Sequence, residues 1–191
     1  MSNPPIPGWC DAAPDAAFSD PIDCSKRADS FERRIRIRNI TEYGAGALVG
    51  AIFGALAVKF FVEGENLMAL TMALVVVGTA IVMWNLNKRA SNLVRHPEEP
   101  CLAYLTRQYR RQYEALRAVP LWYIAPLLPG VIGFYFVVIA KVAERTGWVG
   151  ALEGLAGPAA VTFGVFGAVA LANMWAARTL KRKLLSMEAL A

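Results

Sequence analysis

Residues 43–62 read YGAGALVGAIFGALAVKFFV, Tyr43 to Val62, and Lys59 is the only charged side chain among them. Crossing the ~30 Å hydrocarbon core of a bilayer takes about 20 mostly apolar residues in a helix, and this stretch supplies them. Leu67–Leu86, Leu121–Ala140 and Pro158–Ala177 qualify on the same ground. Open strands in lipid would leave backbone groups unpaired, and the alternation of a barrel strand is absent, so the stretches read as helices. Composition agrees: the 191 residues are 56% hydrophobic and 18% charged, where ordinary globular domains are about 45–50% apolar and about 25% charged. So small a chain has no core large enough to hide that much apolar surface. The pattern predicts an all-α integral membrane protein: a four-helix bundle of two helical hairpins, with cytoplasmic amphipathic helices.

Charge sets the expected orientation. Six of the 20 Lys and Arg residues precede Tyr43 (Lys26, Arg27, Arg33, Arg34, Arg36, Arg38), seven lie between residues 87 and 120, and four follow Ala177. Only Lys141 and Arg145 fall in the opposite loop, with Lys59 near the outer end of the first stretch. The positive-inside rule then puts both termini and the middle loop in the cytoplasm of a bacterial inner membrane. The expected organisation is a disordered tail (1–19), a basic amphipathic helix (20–42), a first transmembrane hairpin (43–86), a loop with an amphipathic helix (87–120), a second hairpin (121–177) and a basic tail (178–191). The two hairpins look alike, each leaving through Trp and then a basic cluster, as a duplication or two hairpins obeying the same interfacial rules would. Topology accounts for the net charge of +5, which leaves no need for nucleic-acid binding and makes anionic headgroups the economical partner.

Small residues and prolines mark packing. Gly46, Gly50 and Gly54 form a G-x-x-x-G-x-x-x-G ridge, and Gly164 sits in a looser Ala160, Gly164, Ala168, Ala172 version. Such ridges let helices approach closely, within one subunit or in a homo-oligomer. Pro126 and Pro129, followed by Gly130, fall inside the third stretch and predict a kink there, either a hinge or a fixed bend, whose freed carbonyls at Trp122 and Ala125 need partners. No span carries Asp, Glu, Arg or His at its centre, which weighs against ion-coupled transport.

The remaining chemistry is sparse. Cys10, Cys24 and Cys101 are odd in number and not closely spaced, so they read as reduced thiols outside any disulfide or zinc framework. His96 reads as a solvent-facing histidine, and Glu98 and Glu99 as helix-start charge. No nucleophile elbow, metalloprotease motif, phosphate loop or dinucleotide fingerprint occurs, so the expectation is a non-enzyme with no cofactor and no metal.

Two basic helices remain. In the second, Leu102, Leu105, Tyr109, Gln112, Leu116 and Val119 recur on one face, and Arg107, Arg110, Arg111, Glu114 and Arg117 fill the other. Packed on the N-terminal helix it forms a cytoplasmic platform, with Arg33, Arg34, Arg36, Arg107, Arg110, Arg111 and Arg117 to meet lipid or a protein partner. The segment Phe31-Glu32-Arg33-Arg34-Ile35-Arg36-Ile37-Arg38-Asn39 with Glu42-Tyr43, together with Arg107-Gln108, Leu116-Arg117, Trp122-Tyr123, Pro126 and Pro129-Gly130, resembles a group of small bacterial inner-membrane proteins. The likeness spans roughly Phe31 to Phe134. That group has no established activity, and its loose association with genes beside alternative sigma factors implies signalling. The expected function is a non-enzymatic membrane-anchored regulatory or assembly partner. The alternative is a small transporter or channel lined by the proline-kinked third span.

Overall fold

The computed structural model describes residues 21–96 and 98–188; the tail expected over 1–19, with Cys10, lies outside them. Among the described residues the elements are α1 (Pro21–Val62), α2 (Asn66–Ala90), α3 (Cys101–Arg117), a π-helical turn (Pro120–Ile124) and α4 (Leu128–Glu188). Three of these, α1, α2 and α4, are long and apolar enough to cross a membrane. Their apolar side chains face outward: Leu48, Val58, Leu67, Leu70, Phe136, Val161 and Leu171 are all more than half exposed. Outward faces of that kind belong against lipid, and the protein is membrane-embedded.

The expected bundle of two matched hairpins is corrected. Five helical elements replace four, three of them long and apolar enough to span, and the stretches 121–140 and 158–177 fall largely within the one element α4 instead of forming helices of their own. The first does not start a helix at Leu121, because Pro126 and Pro129 supply no amide donor; a π-helical turn comes first and α4 begins at Leu128. From there α4 runs on through the expected loop at residues 141–157, with non-helical dihedrals at Gly147 (φ 74°, ψ 166°). That positive φ suits glycine, and the chain reverses there. The Tyr135 and Thr162 hydroxyls are 27 residues apart yet share a 2.7 Å hydrogen bond, whereas a straight helix would hold them ~40 Å apart. Tyr135 also rests against the Phe163 ring.

At 42 residues, α1 is about 63 Å long, twice the hydrocarbon thickness. Its first half therefore projects out of the membrane. There it meets α3 and the end of α4 in one cluster of Cys24, Ala28, Tyr104, Leu105, Tyr109 and Leu184. Both described ends of the chain thus lie at the same end of the molecule. At the other end, Lys141 of α4 pairs with Glu65 in the α1–α2 turn.

Glycine packing is concentrated on α2. A Cβ at Gly78 would run into the Pro126 carbonyl, and one at Gly130 would come within 2.6 Å of the Val75 amide nitrogen. Gly46 faces the Met83 sulfur, whereas Gly50, Gly54 and Gly164 look onto open space.

The reading of the cysteines as free thiols is also corrected. Cys24 and Cys101 form a disulfide, 77 residues apart in sequence and 6.3 Å between Cα atoms. Sequence spacing carries no trace of it, because only the packing of α1 on α3 brings the two together. In the chain-entropy treatment a loop of that length is worth up to about 4.5 kcal/mol.

Two outcomes follow for thermal unfolding in detergent, monitored by circular dichroism. Gly78→Val and Gly130→Val should each cost about 1–3 kcal/mol through overpacking, while Gly50→Ala leaves the midpoint in place. Cys24→Ser/Cys101→Ser should lower the midpoint of the oxidised protein to that of the wild type under reductant, and an unchanged midpoint would show that the bond does not form.

Candidate interaction site

The projecting end is built on α3. Its sequence CLAYLTRQYRRQYEALR is amphipathic, but two of its three most deeply buried large side chains are glutamines: Gln108 is 0% exposed and Gln112 2%. Buried amides need partners, and they find them at the end of α2, whose last carbonyls have no helical donors. Gln112 Nε2 donates to the Ala90 carbonyl at 3.1 Å, and so does Asn39 Nδ2 from α1 at 3.1 Å. Arg111 Nη2 donates to the Lys88 carbonyl at 2.9 Å. Gln108 holds the linker after α2 by accepting from the Leu93 amide (3.0 Å) and donating to Asn92 Oδ1 (2.8 Å). Asn92 in turn donates to the Glu32 carbonyl of α1 at 3.2 Å.

Tyr104, 1% exposed, closes the network by donating to Glu32 Oε1 at 2.7 Å. Burial, reinforced by that carboxylate, pushes its phenol up to about 12, so it remains a donor through the physiological range. Glu32 thus serves Tyr104 as acceptor. A second apolar cluster, Leu86, Ala90, Ala115, Val119 and Trp122, lies beneath.

Two basic clefts flank α3. The inner one, about 450 Å³, is lined by Lys88 and Arg89 of α2, Leu93 of the linker, and Arg107, Arg110, Arg111 and Glu114 of α3. The outer one, about 720 Å³, includes Lys26, Arg27, Ser30 and Arg34 of α1 and Lys183 of α4. Phe31 and Tyr109, stacked at 4.4 Å, and Leu105 and Leu180 form its apolar part. Burial raises the Tyr109 phenol's pKa, and the nearby Arg34 and Arg27 charges partly oppose this. Between bundle and platform, a small cavity of about 40 Å³ is bordered by Arg38, Glu42, Tyr123 and Asn173.

The structure therefore divides the arginines singled out in the sequence. Arg34 borders the outer cleft; Arg107, Arg110 and Arg111 border the inner one. Arg33, Arg36 and Arg117 are exposed and line neither. At the proline junction, the Trp122 carbonyl accepts from Asn85 Nδ2 at 3.3 Å and the Ala125 carbonyl from the Leu128 amide at 3.3 Å. Gly130 is packed on Val75. Sequence reasoning missed the contribution of Lys26, Arg27, Lys88, Arg89 and Lys183 to the clefts. It placed Gln112 on the inward face but missed the buried Gln108 and the capping role of both, although Gln108 and Gln112 at i and i+4 were a visible signal. Among the described residues no group of three or more His, Cys, Asp or Glu side chains is placed to hold a metal, and no catalytic cluster is assembled. Compared with protein families, curated proteins and solved structures, the chain finds no match.

Proposed function

We propose that the protein is a membrane-anchored regulatory or assembly partner that docks an acidic segment of another protein in the outer cleft. One observation carries this reading. Lys26, Arg27, Arg34 and Lys183 converge on the cleft from two helices, and none has a carboxylate within ion-pair distance among the described residues. Beside them lies the stacked pair Phe31 and Tyr109. An acidic amphipathic segment supplies both things this lining lacks: carboxylates for the cations and apolar side chains for the floor.

Depth favours a protein over a lipid at this cleft. Arg34 and Lys26 lie nine and seventeen residues before Tyr43, about 14 and 25 Å along α1. The headgroup layer is only about 5–8 Å thick on each side. The cleft then stands clear of the membrane surface.

The platform faces the cytoplasm of a bacterial inner membrane on this reading, because 17 of the 20 Lys and Arg residues lie outside the spans at that end. The Cys24–Cys101 bond at the same end pulls the other way, since disulfides persist mainly in oxidising compartments. The charge imbalance outweighs it: charge acts on orientation during insertion, and the bond forms only after α1 and α3 have packed. The likeness of Phe31–Phe134 to small bacterial inner-membrane proteins fits the same placement.

The test is recovery from native membranes in mild detergent. A stoichiometric partner should accompany the wild type and the Arg33→Glu control, and be lost from Arg27→Glu/Arg34→Glu/Lys183→Glu. Equal recovery by the triple variant, or no partner with the wild type, would overturn the reading.

A further inference from the structure

We infer that the inner cleft is a binding site for the phosphate of an anionic lipid headgroup. This goes beyond the docking of a protein partner and shares no residue with the outer cleft. Charge comes first. Lys88, Arg89, Arg107, Arg110 and Arg111 line the cleft with one carboxylate, Glu114. A second carboxylate, Glu99, neutralises Arg107 from outside the lining, its Oε2 accepting from Nη2 at 2.7 Å. Lys88, Arg89 and Arg111 alone outnumber Glu114, so the lining is net positive without counting Arg107 or Arg110.

Orientation comes second. The Arg111 guanidinium is held in place, with Nη2 donating to the Lys88 carbonyl at 2.9 Å and to Ser91 Oγ at 3.2 Å. Its Nε–H is buried without an acceptor. Arg107 is held the same way, by Glu99 and by the Val94 carbonyl at 3.1 Å. Fixed guanidinium forks match the oxygens of a phosphate, and fixing them in advance lowers the entropy lost on binding.

Depth selects the source of the phosphate. Trp84, 74% exposed on α2, stands where an interfacial aromatic sits. Lys88 and Arg89 follow it by four and five residues, about 6–8 Å along the helix. That puts the inner cleft at the level of lipid headgroups, whereas the outer cleft stands beyond them. A phosphate monoester headgroup, compact and doubly charged, suits a cleft of about 450 Å³ better than a bulky zwitterion.

The experiment is native mass spectrometry of the full chain released from nanodiscs of phosphatidylcholine containing one-tenth phosphatidic acid. We expect a retained phosphatidic acid adduct on the wild type. It should be at least roughly tenfold weaker on Lys88→Gln/Arg89→Gln and unchanged on Lys26→Gln/Arg34→Gln. Lys88→Arg, which keeps the charge and the fold, should retain it. A 100-fold excess of glycerol 3-phosphate should leave the adduct in place. An adduct insensitive to Lys88→Gln/Arg89→Gln would overturn the site. Displacement by glycerol 3-phosphate with no preference for phosphatidic acid over phosphatidylcholine would assign the cleft to a soluble ester and overturn the headgroup source. Loss of the lipid site leaves partner recovery through the outer cleft unaffected, and the reverse holds equally.

Discussion

The C-terminus of α2 ends in carbonyls that no helical amide can reach, and the way they are satisfied organises the rest of the molecule. Asn39, Gln112 and Arg111 donate to the carbonyls of Ala90 and Lys88, and Gln108 grips the linker that follows. These donors come from α1 and α3, so closing α2 draws three helices to one point. An unsatisfied buried polar group costs about 1–3 kcal/mol. The amides therefore specify one register of α3 on the bundle, where an apolar face alone would let the helix slide along its partners. Tyr104 and Asn92 extend the same network to Glu32, and the Cys24–Cys101 bond fastens its far edge.

That register has a consequence for charge. With α3 packed on α1 and at the end of α2, its Arg107, Arg110 and Arg111 line the inner cleft, while the outer cleft takes its cations from α1 and α4. Lys88 and Arg89 are carried at the helix end beside Trp84, while Lys26, Arg27 and Arg34 are lifted by the projecting half of α1. In the proposed function, one platform holds a lipid headgroup and a more distant acidic protein segment at once. Binding at two points raises the effective concentration of each contact for the other.

Much of this is legible in the sequence, and the failures have definite causes. The apolar stretches at Tyr43–Val62 and Leu67–Leu86 fall within α1 and α2 because lipid leaves a helix no alternative. The second half misleads, since hydropathy cannot distinguish a loop from a helix that continues to a single glycine. Lys141 and Arg145 look like a loop, but only Gly147 breaks the helical dihedrals. The disulfide is invisible because its ends lie 77 residues apart, and proximity there is a product of the fold. Gln112 reads as a tolerated polar residue on the inward face of α3. Its role appears only when the end of α2 is set opposite it, because a capping partner on another helix leaves no local spacing. The glycine ridge of α1 is plain as a pattern, yet only Gly46 meets another side chain of the same chain. A motif of small residues records what can approach and not what does.

The measurement that bears most directly on the amide network is hydrogen exchange of the full chain in nanodiscs, comparing wild type with Gln108→Leu/Gln112→Leu. Leucine is close to glutamine in volume, so the change removes hydrogen bonds while leaving α3 its packing. If the network fixes the platform, amides over residues 101–117 should exchange at least about tenfold faster, as expected for losing even one buried hydrogen-bonded group, while the buried core of α2 keeps its protection. Unchanged exchange over residues 101–117 would mean that apolar packing and the disulfide alone hold α3, and would contradict the organising role of the α2 C-terminus.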